Sequence, residues 1–118
     1  MASADFQGAL ERTKEIDLTT TGRRTGRESS RPVWFVRQGR SLYLLPVTGS
    51  DSQWYKNVLE TPAIRLAAGE SEYTGQATPI TDAAKVDEVV QHFREKYGSH
   101  DVEAYYPKHD VAVEVPSV

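Results

Sequence analysis

Two nearly unbroken apolar runs, Val33-Trp34-Phe35-Val36 and Leu42-Tyr43-Leu44-Leu45, flank the turn Gln38-Gly39-Arg40. The short glycine-containing turn predicts a hairpin, with strands over 30–37 and 41–47. A hairpin with one face in water alternates apolar and polar residues, and these strands do not. Both of their faces must be covered, one by a barrel interior and the other by a helix, a partner subunit or a ligand. A sheet open to water on one side does not meet that requirement.

The remaining segments fit around this hairpin. Residues 5–14 place Phe6, Ala9, Leu10 and Thr13 at helical spacing, with Asp5 as the cap. Residues 15–21 alternate and are rich in β-branched side chains, which predicts a strand. A helix opens at 49–53, where Ser50 and Gln53 have capping-box spacing. It buries Trp54, Tyr55, Val58 and Leu59 and stops at Thr61-Pro62. Strands follow over 63–68 and 72–80, about the turn Ala68-Gly69-Glu70. The longest helix starts at Thr81-Asp82; Val86, Val89, Val90, Phe93 and Tyr97 form its apolar stripe and Gly98 ends it. Residues 100–109 read as a polar, aromatic loop, and 110–115 alternate strictly as a sixth strand. Too few helices connect the strands for a doubly wound parallel sheet. The expected fold is mainly β in an α+β class: a small antiparallel barrel with helices outside it.

Composition narrows the functional classes. The chain has 118 residues and no cysteine. Such a chain buries roughly 65% of its unfolded surface as one domain, here over 1–118, without staples. Disulfides and thiolate metal sites are excluded, and a reducing, cytoplasmic setting fits. Neither end shows a secretory pattern, and no window approaches the ~20 apolar residues of a membrane span. The net charge of −3 argues against nucleic acid as the main partner.

Against that acidic background, residues 22–31 (Gly-Arg-Arg-Thr-Gly-Arg-Glu-Ser-Ser-Arg) hold four of the fourteen basic side chains. Arg23, Arg24, Arg27 and Arg31 are either solvated loop charges, some paired with acids such as Glu28, or a clamp for a phosphate or polycarboxylate tail. Arginine presents a planar fork of donors suited to both anions, and the two glycines allow a tight turn. No Walker or GxGxxG pattern occurs. In Trp54-Tyr55-Lys56-Asn57 the aromatic pair suits a core, whereas Lys56 and Asn57 face elsewhere, near a helix start that attracts anions. Histidines 92, 100 and 109 lack ligand spacing, so no metal site is expected, and Ser29 and Ser30 lack a nucleophile elbow. Tyr105-Tyr106-Pro107 is either a rigid aromatic turn packed on the barrel or the lining of a substrate pocket. No catalytic side chain is singled out.

In these segments the chain resembles the deazaflavin-dependent nitroreductase family of the flavin/deazaflavin (FMN-binding) split-barrel superfamily. The carrying residues are Leu18-Thr19-Thr20-Thr21-Gly22-Arg23-Arg24-Thr25-Gly26, Arg31-Pro32-Val33-Trp34-Phe35-Val36 and Trp54-Tyr55-Lys56-Asn57-Val58-Leu59 with Thr61-Pro62, in matching order and spacing over 15–68. The C-terminal part, with Phe93-Arg94-Glu95-Lys96-Tyr97-Gly98, looks more like an uncharacterised small branch of that superfamily. The resemblance implies a six-stranded split β-barrel with two or three surrounding helices. It implies the deazaflavin coenzyme F-420 as cofactor, with FMN as the alternative. It places Arg23, Arg24 and Arg31 toward the coenzyme's phosphate and glutamyl tail, and Pro32, Val33 and Trp34 beside the ring. Backbone near Val47, Thr48 and Gly49, with Lys56 and Asn57, completes the groove. Tyr105 or Tyr106 is then the candidate proton donor on the substrate side. Because a deazaflavin carries its own hydride chemistry, a chain without acid–base pair, nucleophile or metal cluster is consistent with it. The implied activity is hydride transfer from the reduced coenzyme to a quinone, enone or nitro compound. The alternatives are a non-catalytic barrel for a flavin, deazaflavin or lipophilic ligand, and an FMN-dependent member. Partners are then small molecules only, and the chain is a monomer or a homodimer.

Overall fold

A computed structural model of the chain describes residues 4–116 and 118. In order, the elements are α1 (Ala4–Glu11), β1 (Ile16–Thr21), β2 (Glu28–Val33), β3 (Val36–Gln38), β4 (Ser41–Leu44), α2 (Gln53–Glu60), β5 (Ala63–Ala68), β6 (Ser71–Gln76), β7 (Thr78–Ile80), α3 (Ala83–Tyr97), α4 (Ser99–Tyr105) and β8 (Ala112–Pro116). The strands form two four-stranded antiparallel sheets, β2-β1-β5-β6 and β3-β4-β8-β7. The fold is therefore α+β, as expected, but it has eight strands and four helices rather than six strands and two or three helices. Among the described residues no strand ladder joins the two sheets into one closed barrel.

The two extra strands come from two expected strands that break and change sheet. In 30–37 the break falls at Trp34-Phe35. The Phe35 N–H donates to the Tyr97 hydroxyl at 3.1 Å, and its carbonyl accepts from that hydroxyl at 2.9 Å and from Lys96 Nζ at 2.8 Å. Helix α3 thus satisfies backbone groups that a continuous ladder would have used. In 72–80 the break falls at Ala77, whose N–H donates to the Pro62 carbonyl at 2.8 Å.

Each sheet presents an apolar face to a shared core built from Phe6, Ile16, Leu18, Leu42, Leu44, Trp54, Leu66 and Val113, among others. A second cluster, with Val36, Tyr43, Leu45, Val86, Val90, Phe93, Val102 and Tyr106, lies between the other face of β3-β4-β8-β7 and helices α3 and α4. Leu42 and Leu44 therefore face one core while Tyr43 and Leu45 face the other. That double cover is why the hairpin runs are unbrokenly apolar. The other sheet alternates, with Asp17, Ser30, Glu72 and Thr74 exposed.

Helix starts and stops show where local rules held. Asp82 caps α3 by accepting from the Lys85 N–H at 3.0 Å. Gly98 ends it with φ +94° and passes directly into α4, in place of the loop expected over 100–109. Ser50 does not cap α2. It lies in a single 3-10 turn over Gly49–Asp51, and Ser52 takes the cap position. On α2 itself, Leu59 is 55% exposed and Asn57 is buried, which reverses the expected stripe at those two positions. No helix of the described residues is long and apolar enough to cross a membrane.

Candidate functional site

The arginine loop closes on itself between β1 and β2. The Gly22 N–H donates to the Arg27 carbonyl at 2.8 Å, and the Gly26 N–H to the Gly22 carbonyl at 2.9 Å. This turn lays Arg23 against α2. Asn57 Oδ1 accepts from the Arg23 N–H at 3.2 Å and from its Nη1 at 2.8 Å, while Arg23 Nη2 donates to Gln53 Oε1 at 2.8 Å. The partners are neutral amides, so the guanidinium is anchored without losing its charge. Asn57 is buried because it is the joint between loop and helix.

Around that joint lies a cavity of about 390 Å³, lined by Gly22, Arg23, Arg24, Thr25, Gln53, Lys56 and Asn57. Glu28, the nearby acid, turns to Arg65 at 3.4 Å instead. Among the described residues no carboxylate lies within ion-pair distance of Arg23, Arg24, Arg27, Arg31 or Lys56. An uncompensated cluster of guanidinium and ammonium groups around a concavity attracts anions strongly.

A second cavity, about 240 Å³, is lined by Arg31, Pro32, Val33, Leu45, Val47, Trp54, Tyr105 and Tyr106. Its β2 wall follows from register: Arg31 pairs with Leu18 and Val33 with Ile16, both core residues, so these two side chains share the inner face of the sheet. Strand β2 is the sheet's edge, and that inner face is left uncovered there. Helix α2 is a wall common to both cavities, giving Gln53, Lys56 and Asn57 to one and Trp54 to the other.

Behind the second cavity stands an aromatic stack. Trp34 lies between Tyr97 (ring centroids 4.3 Å apart, planes 9° apart) and Tyr105 (4.8 Å, 17°). Both of its faces are taken, so Trp34 supports Tyr105 and is not itself in the lining. Tyr106 packs edge-on against Phe93 at 5.7 Å and is 2% exposed. Burial, reinforced by the neighbouring tyrosines, pushes its phenol far above the ordinary range, so it stays protonated at neutral pH. Its hydroxyl has no hydrogen-bond partner among the described residues.

The expected site residues therefore fall into three groups. Arg23, Arg24, Lys56 and Asn57 come together around the cationic cavity; Arg31, Pro32, Val33, Tyr105 and Tyr106 line the apolar one. Trp34, Thr48 and Gly49 line neither: Trp34 is in the stack, Thr48 is exposed, and Gly49 is packed beneath Asp110 and Lys108. Trp54, Leu45 and Gln53 were missed as lining residues. Spacing on a helix marks Trp54 as buried, and no pattern distinguishes a core tryptophan from one that also walls a cavity.

Fold and site together define a small α+β, split-barrel-like protein with an anion-attracting cavity next to an aromatic one. The same fold occurs in an F420-H2 dependent reductase termed FDR-A (TM-score 0.67, 18% identity, 86% of this chain and 93% of that one). It also occurs in a conserved hypothetical protein from Mycobacterium tuberculosis (TM-score 0.73, 19% identity, 100% and 80%) and in the heme storage protein HutZ from Vibrio cholerae (TM-score 0.72, 13% identity, 99% and 90%). Among curated proteins no significant match is found. The family model described as "F420H(2)-dependent quinone reductase" matches residues 3–117, and the chain belongs to that family. The resemblance to deazaflavin-dependent enzymes carried by the arginine loop and the α2 segment is thereby borne out.

Proposed function

We propose that this chain is a deazaflavin-dependent oxidoreductase that uses reduced coenzyme F-420 to reduce an electrophilic organic acceptor of the quinone, enone or nitro class. Family membership supports the coenzyme. The observation that carries the reading is the pairing of two unlike cavities on one helix. Arg23, Arg24 and Lys56, free of carboxylate partners among the described residues, suit a multiply charged tail, and Val33, Leu45 and Trp54 suit a flat aromatic ring. Together the cavities fall within the roughly 300–1,000 Å³ of small-molecule sites.

When bound, the deazaflavin supplies the hydride. The chain's own residues bind, orient and exclude water. Arg23, anchored by Asn57 and Gln53, and the cavity's other cations Arg24 and Lys56 grip the tail. Arg31 extends that charge to the mouth of the apolar cavity. Val33, Leu45, Val47 and Trp54 keep the reacting region dry, which strengthens electrostatic contacts inside it. Tyr106 Oη, protonated and without a hydrogen-bond partner among the described residues, is the candidate to donate a hydrogen bond to an acceptor oxygen, with the Tyr105 ring packed against its own at 5.1 Å. An FMN-dependent reading is less well supported, because one phosphate does not call for three separate cations.

Fluorescence titration with coenzyme F-420, followed by consumption of the reduced coenzyme against a panel of quinones, enones and nitro compounds, tests the proposal. Saturable binding and turnover of at least one acceptor are expected. A protein that purifies yellow with FMN and ignores the deazaflavin would overturn it.

A further inference from the structure

Two walls of the apolar cavity that are distant in sequence, at Val47 and at Tyr105-Tyr106, are tied together by a polar cluster outside the lining. Val47 is carried by the segment before the 3-10 turn Gly49–Asp51, and Tyr105 and Tyr106 precede the 108–110 segment. Asp110 Oδ1 accepts from the Ser50 N–H at 3.0 Å, and Asp110 Oδ2 accepts from the Ser50 hydroxyl. Lys108 Nζ contacts Asp51 Oδ2 at 2.9 Å and Asp110 Oδ2 at 3.7 Å. Gly49, at φ +58°, makes room for this: a Cβ there would collide with Asp110 Oδ1. The missing side chain is thus required by Asp110 together with Lys108, and the left-handed φ independently favours glycine.

We propose that Asp110 is a positioning residue, and that the Ser50–Asp110 and Lys108–Asp51 pairs form a latch fixing the width of the acceptor end of the cavity. Its interest for function rests on the deazaflavin reading, but the latch itself can be examined without any ligand. Among the described residues its hydrogen bonds and ion pairs involve only Ser50, Asp51, Lys108 and Asp110, and none of Arg23, Arg24, Lys56 or Asn57. Releasing it should therefore loosen the walls that meet the acceptor while leaving the grip on the coenzyme's tail intact.

Asp110→Ala, Asp110→Asn and Ser50→Ala are compared with the unmodified chain. In Asp110→Ala, amide exchange at Ser50 in the ligand-free protein is expected to accelerate by about tenfold or more, with the β5 amides unchanged. With coenzyme F-420 and an accepted quinone, KM for the quinone is expected to rise by about fivefold or more while the coenzyme Kd stays within about twofold. Asp110→Asn keeps the Oδ1 acceptor and should recover most of both effects; Ser50→Ala, losing one of the two links, should be intermediate. Unchanged exchange at Ser50 overturns the proposal, as does a coenzyme Kd that weakens as much as the quinone KM. Should Asp110→Ala fail to fold, Ser50→Ala decides by the same criteria. If the unmodified chain binds no coenzyme, the functional reading fails, and the exchange comparison alone decides whether the latch exists.

Discussion

Arg23 and Arg24 are neighbours in sequence with different surroundings, and substitution should separate them. Arg23 is tied to Asn57 and Gln53, whereas Arg24 makes no hydrogen bond among the described residues. Both alanine variants should weaken coenzyme binding by about 1.5–3 kcal/mol per lost charge-assisted contact. Arg24→Ala should leave urea stability within about 0.5 kcal/mol, while Arg23→Ala should cost about 0.5–1.5 kcal/mol. Asn57→Ala, which removes the acceptor shared by two donors, should cost about 1–3 kcal/mol. Equal stabilities for all three would show that the loop is not docked on α2. A second residue-scale outcome concerns Tyr97, whose phenol is pushed up to about 12 from 10.0 by burial. The fold keeps the proton that the unfolded chain releases above pH 10. Stability is thus flat below about 10 and falls between about 10 and 12. Urea melts across that range should show the decline, and Tyr97→Phe should reduce its slope. Legibility at this scale was uneven. Arginine and glycine spacing pointed to the cationic cavity, but nothing in the spacing showed that Arg23 would be held by a buried Asn57 or that Trp34 would be stacked on both faces.

At the scale of elements, periodicity located the strands and helices but not the places where strands change sheet. The breaks at Phe35 and Ala77 are set by long-range partners, Tyr97 and Pro62, whose carbonyl or hydroxyl takes the strand's N–H. No local pattern encodes a partner 62 residues away. Helix α4 escaped because only Val102 and the following Tyr106 are buried in an otherwise polar stretch. Its junction with α3 rests on Gly98 at φ +94° and ψ 140°, a region that side chains avoid. Open space surrounds the glycine, so a methyl group meets no clash there. Gly98→Ala should still destabilise by about 1–3 kcal/mol from backbone strain alone. Chemical denaturation checks this, and a neutral result would mean that the α3–α4 junction relaxes freely.

The whole molecule is two sheets sharing one core, with a second core under α3 and α4, and the site lies where edge strand β2 leaves the inner face uncovered. The apolar hairpin predicted the double cover, and the acidic balance of the chain made the arginine cluster stand out. Neither could show that one helix would separate the cationic cavity from the aromatic one. The decisive measurement is a fluorescence titration of the chain with coenzyme F-420 at low and high salt, repeated with Arg24→Ala. Saturable binding that weakens with salt, and a Kd raised by roughly ten- to hundredfold in the variant, is the predicted result. Absence of saturation, or an affinity indifferent to Arg24, would contradict it.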